Sequence, residues 1–121
     1  MKGAWKSALI DVDRATEFVG DDVDQYSELV DLGGEFKDVL VIIPTITSST
    51  ISLCVQMNGA EDTVPVALNI LDDDATGHFA HATTAGTAGM AIVFHVGSVQ
   101  FLRVKAGSNQ AADRTFYVRG C

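Results

Sequence analysis

Apolar side chains recur at every second position along much of the chain, which is the period of a β-strand with one buried face. The alternation runs through 50–57, 64–71 and 90–96, and Val99 with Phe101, then Phe116 with Val118, complete the set. The segment 36–43 is apolar on both sides at its end, which is typical of a strand in the middle of a sandwich. One face of 50–57 carries Ile51, Leu53, Val55 and Met57, and one face of 90–96 carries Met90, Ile92, Phe94 and Val96. No segment shows a convincing helical period, so the pattern predicts an all-β protein.

The spacers between these segments are rich in residues that favour chain reversal. Asn58-Gly59 is a strong hairpin signal, and Gly97-Ser98 suits a type II′ turn. We therefore expect 50–57 to pair with 64–71, and 90–96 to pair with 99–105. Pro65 removes one ladder donor and predicts an edge position for its strand. About eight short strands at this spacing predict an antiparallel β-sandwich or jelly roll with an extended N-terminal segment.

The length of 121 residues predicts a single domain over 1–121, with enough chain to bury a core without metal or disulfide support. Cys54 lies inside a predicted strand and Cys121 is the last residue, so both are expected to be free thiols. Free thiols are compatible with synthesis in a reducing cytoplasm.

Charge narrows the choice of partners. The net charge is −8, and 10 of the 16 acidic residues fall between Asp11 and Asp38, so 1–35 forms an acidic N-terminal segment that could extend as an arm. Eight scattered basic residues do not supply the field that nucleic acid requires. The strongly apolar run at 39–43 is far shorter than the roughly 20 residues of a membrane-spanning helix. We predict neither a nucleic-acid partner nor a membrane partner.

Two places imitate metal sites, and neither fulfils the requirements. Asp72, Asp74, Thr76 and Gly77 match the first half of a calcium-binding EF-hand loop, but the twelfth position is Thr83 instead of a bidentate Glu. His78 and His81 are three apart without an obvious third ligand, and His95 lies on the polar side of its strand. We predict no metal site and no cofactor.

The sequence contains neither a nucleophile elbow nor a phosphate-binding loop. It therefore offers no candidate catalytic residues, and we predict that the protein is not an enzyme. A small hydrolase whose two carboxylates converge only in space is the third-ranked alternative.

The polar joint at 107–115 predicts a structural corner that returns the last strand to the sheet. Asn109 can cap its turn, and Asp113 can accept backbone N–H bonds or pair with Arg114. Arg114 could instead pair with a carboxylate of the acidic front.

The segments 41–59 and 101–120, and above all "NQAADRT" at 109–115, resemble small β-sandwich structural proteins of tailed bacteriophages. The resemblance implies a noncatalytic virion protein, a decoration or cement protein that binds the major capsid protein lattice as a homo-oligomer, a trimer or dimer. It implies a location on the capsid surface, and in the host cytoplasm during assembly. The first third departs from the pattern, so another head, neck or tail position stays open.

Trp5, with Lys2 and Lys6 beside it, is the candidate partner-binding group. The single tryptophan either anchors in a pocket of a neighbour or packs on its own domain. The competing function is a carbohydrate-binding or fibre adhesion module. The nine aromatic residues fall mostly in core phase, which favours assembly over sugar binding.

Overall fold

The computed structural model describes residues 3–11, 25–47, 49–59, 66–67, 69–71, 78–80, 82–85, 89–108 and 110–121. These residues form nine strands and no helix. The strands are β1 (Lys6–Ile10), β2 (Val30–Ile43), β3 (Ser49–Gln56), β4 (Val66–Ala67), β5 (Asn69–Leu71), β6 (His78–Ala80), β7 (Ala82–Ala85), β8 (Met90–Ala106) and β9 (Arg114–Gly120). In the described part of the chain, no helix is long and apolar enough to span a membrane.

Seven strands form one antiparallel sheet in the order β1-β9-β2-β8-β3-β4, with β7 also paired to β3. Strands β5 and β6 pair separately. The prediction of an all-β antiparallel fold is confirmed. Among the described strands, however, only β1, β2, β3, β8 and β9 have five residues or more. The sheet is thus built from fewer and longer strands than the sequence predicts.

The predicted hairpin between 90–96 and 99–105 is wrong, because β8 runs through both segments as one strand of 17 residues. Gly97 has a φ of +84°, a conformation that other residues rarely adopt. The register with β2 shifts on either side of it, from His95 opposite Asp38 to Val99 opposite Phe36. Gly97 therefore forms a β-bulge that bends the strand instead of a turn that reverses it.

Strand β2 bends at the matching place, where Gly33 has a φ of +81° and the register with β8 shifts again. These irregularities divide the sheet into two parts, which we call the first and the second layer. The first layer contains β1, β9, the end of β2 and the start of β8, and the second contains the start of β2, the end of β8, β3, β4 and β7. Both layers belong to one hydrogen-bonded sheet and contribute side chains to one core cluster.

The core takes one buried face from each of the long strands. Its side chains come from β1 (Ala8, Ile10), β2 (Val30, Leu32, Val39, Val41, Ile43), the following corner (Ile46), β3 (Ile51, Leu53), β8 (Phe94, Val96, Leu102, Val104, Ala106) and β9 (Phe116, Val118). Burial at every second residue confirms the predicted alternation at Phe94 and Val96 in β8 and at Phe116 and Val118 in β9, whereas Leu102, Arg103 and Val104 are all buried. Met57 is an exception, because it follows β3 and is 98% exposed.

The second predicted hairpin is formed only in part. Cys54 and Val55 pair with Ala67 and Val66. Residues 69–71 leave this pairing and bind β6 instead, so the expected strand 64–71 is divided between two partners. Residues 60–65 lie outside the described residues.

The described parts of the acidic N-terminal segment 1–35 are bonded to other parts of the fold. Strand β1 pairs along its length with β9, and β2 begins at Val30. The N–H of Glu28 donates to the carbonyl of Leu9 at 2.7 Å, which ties β1 to the segment that precedes β2. Residues 12–24, which include five of the acidic residues, lie outside the described residues.

Candidate functional site

The outer side of the first layer carries an unusual number of apolar side chains. We call this surface the Trp5 face; it comprises Trp5, Leu40, Ile42, Val93, Tyr117 and Arg119. The core takes the alternate residues of the same strands, so these six point away from it. Val93 is 53% exposed, Trp5 44% and Tyr117 43%. Leu40 and Ile42 are half-buried between them.

Strand register places these side chains in rows across the sheet. Leu40 lies opposite Arg119 on one side and Val93 on the other. Ile42 lies opposite Tyr117. Directly opposed residues in antiparallel strands are about 5 Å apart, so the rows form a continuous surface.

Trp5 and Arg119 lie together at one end of the row that contains Leu40 and Val93. The guanidinium carbon of Arg119 lies 5.6 Å from the centre of the Trp5 ring, within the range of a cation–π contact. The Nε of Arg119 donates to the carbonyl of Gly3 at 2.9 Å, and the N–H of Gly3 donates to the carbonyl of Gly120. The segment before β1 is thus fastened to β9, and Trp5 both packs on its own domain and presents part of its ring to solvent.

Of the other two predicted partner-binding residues, Lys2 and Lys6, the structure describes only Lys6. Lys6 starts β1 opposite Val118 and is half-buried. Lys2 lies outside the described residues.

At another point of the first layer, the Nδ1 of His95 lies 2.6 Å from the Oδ1 of Asp38. His95 is 77% exposed, so it faces solvent as the alternation predicts. His78 starts β6, whereas His81 and the acidic turn at 72–77 lie outside the described residues. Within the described part of the chain, no three His, Cys, Asp or Glu side chains converge on a position that could hold a metal ion.

The corner before β9 is fastened to the loop that follows β2. The Oε1 of Gln110 accepts from the N–H of Thr47 at 2.8 Å, and the Nη2 of Arg114 donates to the Oγ1 of Thr47 at 3.0 Å. Arg114 thus has a hydroxyl partner where the sequence suggests a carboxylate. Asp113 is exposed just before β9, and Asn109 lies outside the described residues. Sequence reasoning did not single out Gln110, which is 4% exposed.

A second polar cluster, also missed from sequence, surrounds Arg103 on the side of β8 opposite the core. Arg103 is fully buried; its Nε donates to the Oε1 of Gln56 at 2.7 Å and its Nη1 to the carbonyl of Ser27 at 3.0 Å. Cys54 lies opposite Arg103 in the neighbouring strand. Burial raises the pKa of the Cys54 thiol, and the charges of Lys105 and Arg103 offset this only in part. A buried thiol with a raised pKa is a poor nucleophile.

A groove of about 550 Å³ opens where the end of β3 meets the bulge of β8. Its lining is Glu35, Val55, Gln56, Met57, Asn58, Val66, Ser98, Val99, Gln100 and Phe101. Glu35 is the one carboxylate among the described residues of this lining, and glycoside hydrolysis uses two. The described residues of the groove offer a ligand mainly apolar contacts.

No protein-family model matches the chain, and no curated protein matches it either. Three solved structures are similar over nearly the whole chain. The SPBc2 prophage-derived protein YomS is 16% identical with a TM-score of 0.46, covering 97% of this chain and 94% of its own. The BFDV capsid protein, crystallised as a decamer, is 8% identical with a TM-score of 0.40, covering 98% and 93%. The Tobacco streak virus coat protein is 8% identical with a TM-score of 0.36, covering 98% and 84%.

Proposed function

We propose that this protein is a noncatalytic structural component of a tailed-bacteriophage virion, a decoration or cement protein that binds the major capsid protein lattice. The observation that carries the proposal is the Trp5 face. It places two exposed aromatic side chains, an arginine within cation–π distance of Trp5 and a row of aliphatic residues on one side of a four-stranded layer. Tryptophan, tyrosine and arginine are the side chains that most often dominate protein–protein binding energies.

The sequence resemblance supports the same role. Its two segments, 41–59 and 101–120, meet in the structure at the corner where Thr47 bonds Gln110 and Arg114. The residues that resemble phage structural proteins therefore form one connected unit of the fold. A location on the capsid surface and assembly as a trimer or dimer belong to this proposal. Many weakly bound copies on a repeating lattice gain strength from avidity.

The test uses particles of the phage whose genome encodes this chain, prepared with the gene deleted. Purified protein is added, the particles are sedimented, and the bound protein is quantified by mass spectrometry. We expect saturable binding that Trp5→Ala weakens and that Met57→Ser leaves unchanged, because Met57 is exposed away from the Trp5 face. Absence of the protein from wild-type particles, together with no binding to deleted ones, would rule out the virion role.

One observation favours a second candidate, a carbohydrate-binding module. Trp5 and Tyr117 are both partly exposed on one face, and exposed aromatic rings are the usual platforms for sugars. A glycan array distinguishes the two functions. Selective binding to one glycan class, lost in both Trp5→Ala and Tyr117→Ala, would favour the sugar-binding module, whereas the virion proposal predicts a blank array.

A further inference from the structure

Two contacts hold Arg119 in place, and neither of them uses its two terminal nitrogens, Nη1 and Nη2. Its Nε donates to the Gly3 carbonyl, and its guanidinium carbon lies 5.6 Å from the centre of the Trp5 ring. In the described part of the chain, its two terminal nitrogens have no hydrogen-bond partner and no carboxylate beside them. An arginine fixed in this way loses little side-chain entropy when it binds a ligand.

The surroundings of Arg119 favour an anion supplied by a protein. Leu40 lies directly opposite Arg119 in the neighbouring strand β2, and Val93 lies opposite Leu40 in β8. Burying an arginine among apolar side chains is costly unless a carboxylate pairs with it, and a two-pronged pair is the geometry that guanidinium groups favour. A partner surface that covers this row must therefore bring its own carboxylate.

We propose that the Trp5–Arg119 pair is the receptor for an aspartate or glutamate side chain presented by an apolar surface of the partner protein. The inference deepens the proposed function, on which the identity of that partner as the capsid protein rests. It assigns Arg119 as the specificity-determining residue and Trp5 as the ring that positions it.

A second copy docked face to face is a poorer occupant. A twofold axis near Arg119 would bring the two Arg119 side chains close to one another, and like charges oppose such contact. A twofold axis near Leu40 would place each Arg119 against Val93 of the other copy, which offers no carboxylate. Asp38, two residues before Leu40 on the same side of β2, is already bonded to His95. A different protein with acids in an apolar surface meets the requirement directly.

The first arm measures binding to the gene-deleted particles. Arg119→Ala is expected to weaken binding about 30-fold or more, because it removes one member of a desolvated charge pair. Arg119→Lys should recover only part of this loss, since lysine keeps the charge and lacks the fork. Lys105→Ala is the matched control: Lys105 also lies over an aromatic ring, that of Tyr26, but on the second layer. Equal binding by wild type and Arg119→Ala would overturn the inference.

The second arm needs no particle and separates failure of the inference from failure of the virion role. Trp5 is the only tryptophan, so its fluorescence reports on the site alone. The probes are short leucine-rich peptides containing glutamate, and the same peptides with glutamine. We expect a saturable emission change with the glutamate peptides only, absent in Arg119→Ala and diminished by salt. Equal responses to both peptides, or none in the wild type, would overturn the inference even if particle binding is observed. Unchanged thermal unfolding of each variant verifies that it is folded.

Discussion

Replacing Gln56 with leucine should destabilise the protein more than replacing Gln56 and Arg103 together. Gln56 accepts from the Nε of a fully buried arginine at 2.7 Å. Gln56→Leu keeps the positive charge of Arg103 buried and removes this acceptor. The double variant Gln56→Leu with Arg103→Met removes the buried charge as well, so fewer buried polar groups lose a hydrogen-bond partner.

The magnitudes follow from the contacts. A hydrogen bond to a buried charged group contributes about 2–3 kcal/mol, so Gln56→Leu should cost about 3 kcal/mol. Arg103→Met should cost about 2 kcal/mol, because it leaves the carbonyl of Ser27 and the Oε1 of Gln56 without this donor. The double variant should cost about 2 kcal/mol instead of the roughly 5 kcal/mol that additivity gives. In a domain of this size, 3 kcal/mol corresponds to a Tm lowered by about 10 °C.

The assay is urea unfolding of the four proteins followed by circular dichroism, with the free energies combined in a double-mutant cycle. Gln100→Leu is the matched control, because Gln100 bonds the exposed carboxylate of Asp31 and should cost less than about 1 kcal/mol. Additive costs, or a Gln56→Leu cost no larger than that of the control, would refute the reasoning that Arg103 depends on Gln56.

Three further outcomes are expected. Gly97→Ala should cost about 1–2 kcal/mol in urea unfolding, because alanine is strained at a φ of +84°; a neutral change would exclude the bulge. Gly120→Ala should destabilise by about 1–3 kcal/mol, because the added Cβ would overlap the Phe36 ring, and Phe36→Leu in the same chain should recover part of the loss. Hydrogen bonds from the Gly33 backbone, then from Gln100, lower the pKa of Asp31 below 3.8. Its stabilising effect is therefore complete above pH 3.8 and lost as pH falls through the folded-state pKa, so the stability difference between wild type and Asp31→Ala should shrink in that range. A difference that is constant down to pH 2 would contradict the assignment.

Sequence reasoning predicted the fold class because alternation is a local property of the chain. Phe94, Val96, Phe116 and Val118 are buried as their phase indicates. The prediction of a turn at Gly97-Ser98 is wrong because a glycine with a positive φ fits a turn and a bulge equally well. The choice between them is set by the long strand β2, whose register with β8 continues past the glycine.

The burial of Arg103 could not be predicted from period. Its neighbours Leu102 and Val104 point into the core, so alternation assigns Arg103 to the opposite, normally solvated side. That side is covered where β8 lies beside β3, and Cys54 is buried there too. A pattern with period two does not indicate whether the second face of a sheet is also covered.

The sequence alone predicts one part of the candidate site, Trp5, and does not predict the rest. The single tryptophan drew attention to Trp5 as a possible anchor. Nothing in the sequence indicates a role for Arg119. Its hydrogen bond to the Gly3 carbonyl joins residues 116 positions apart and depends on the pairing of β1 with β9. The apolar rows of the Trp5 face likewise exist only once the register of β2, β8 and β9 is known.

The most direct test of the proposed role is a cryo-electron microscopy reconstruction of the wild-type particle. We predict density for this chain on the capsid surface, with Trp5, Leu40 and Val93 covered by the capsid protein and a carboxylate of that protein against Arg119. A particle that lacks this density, or one in which the chain is present with its Trp5 face turned to solvent, would contradict the account.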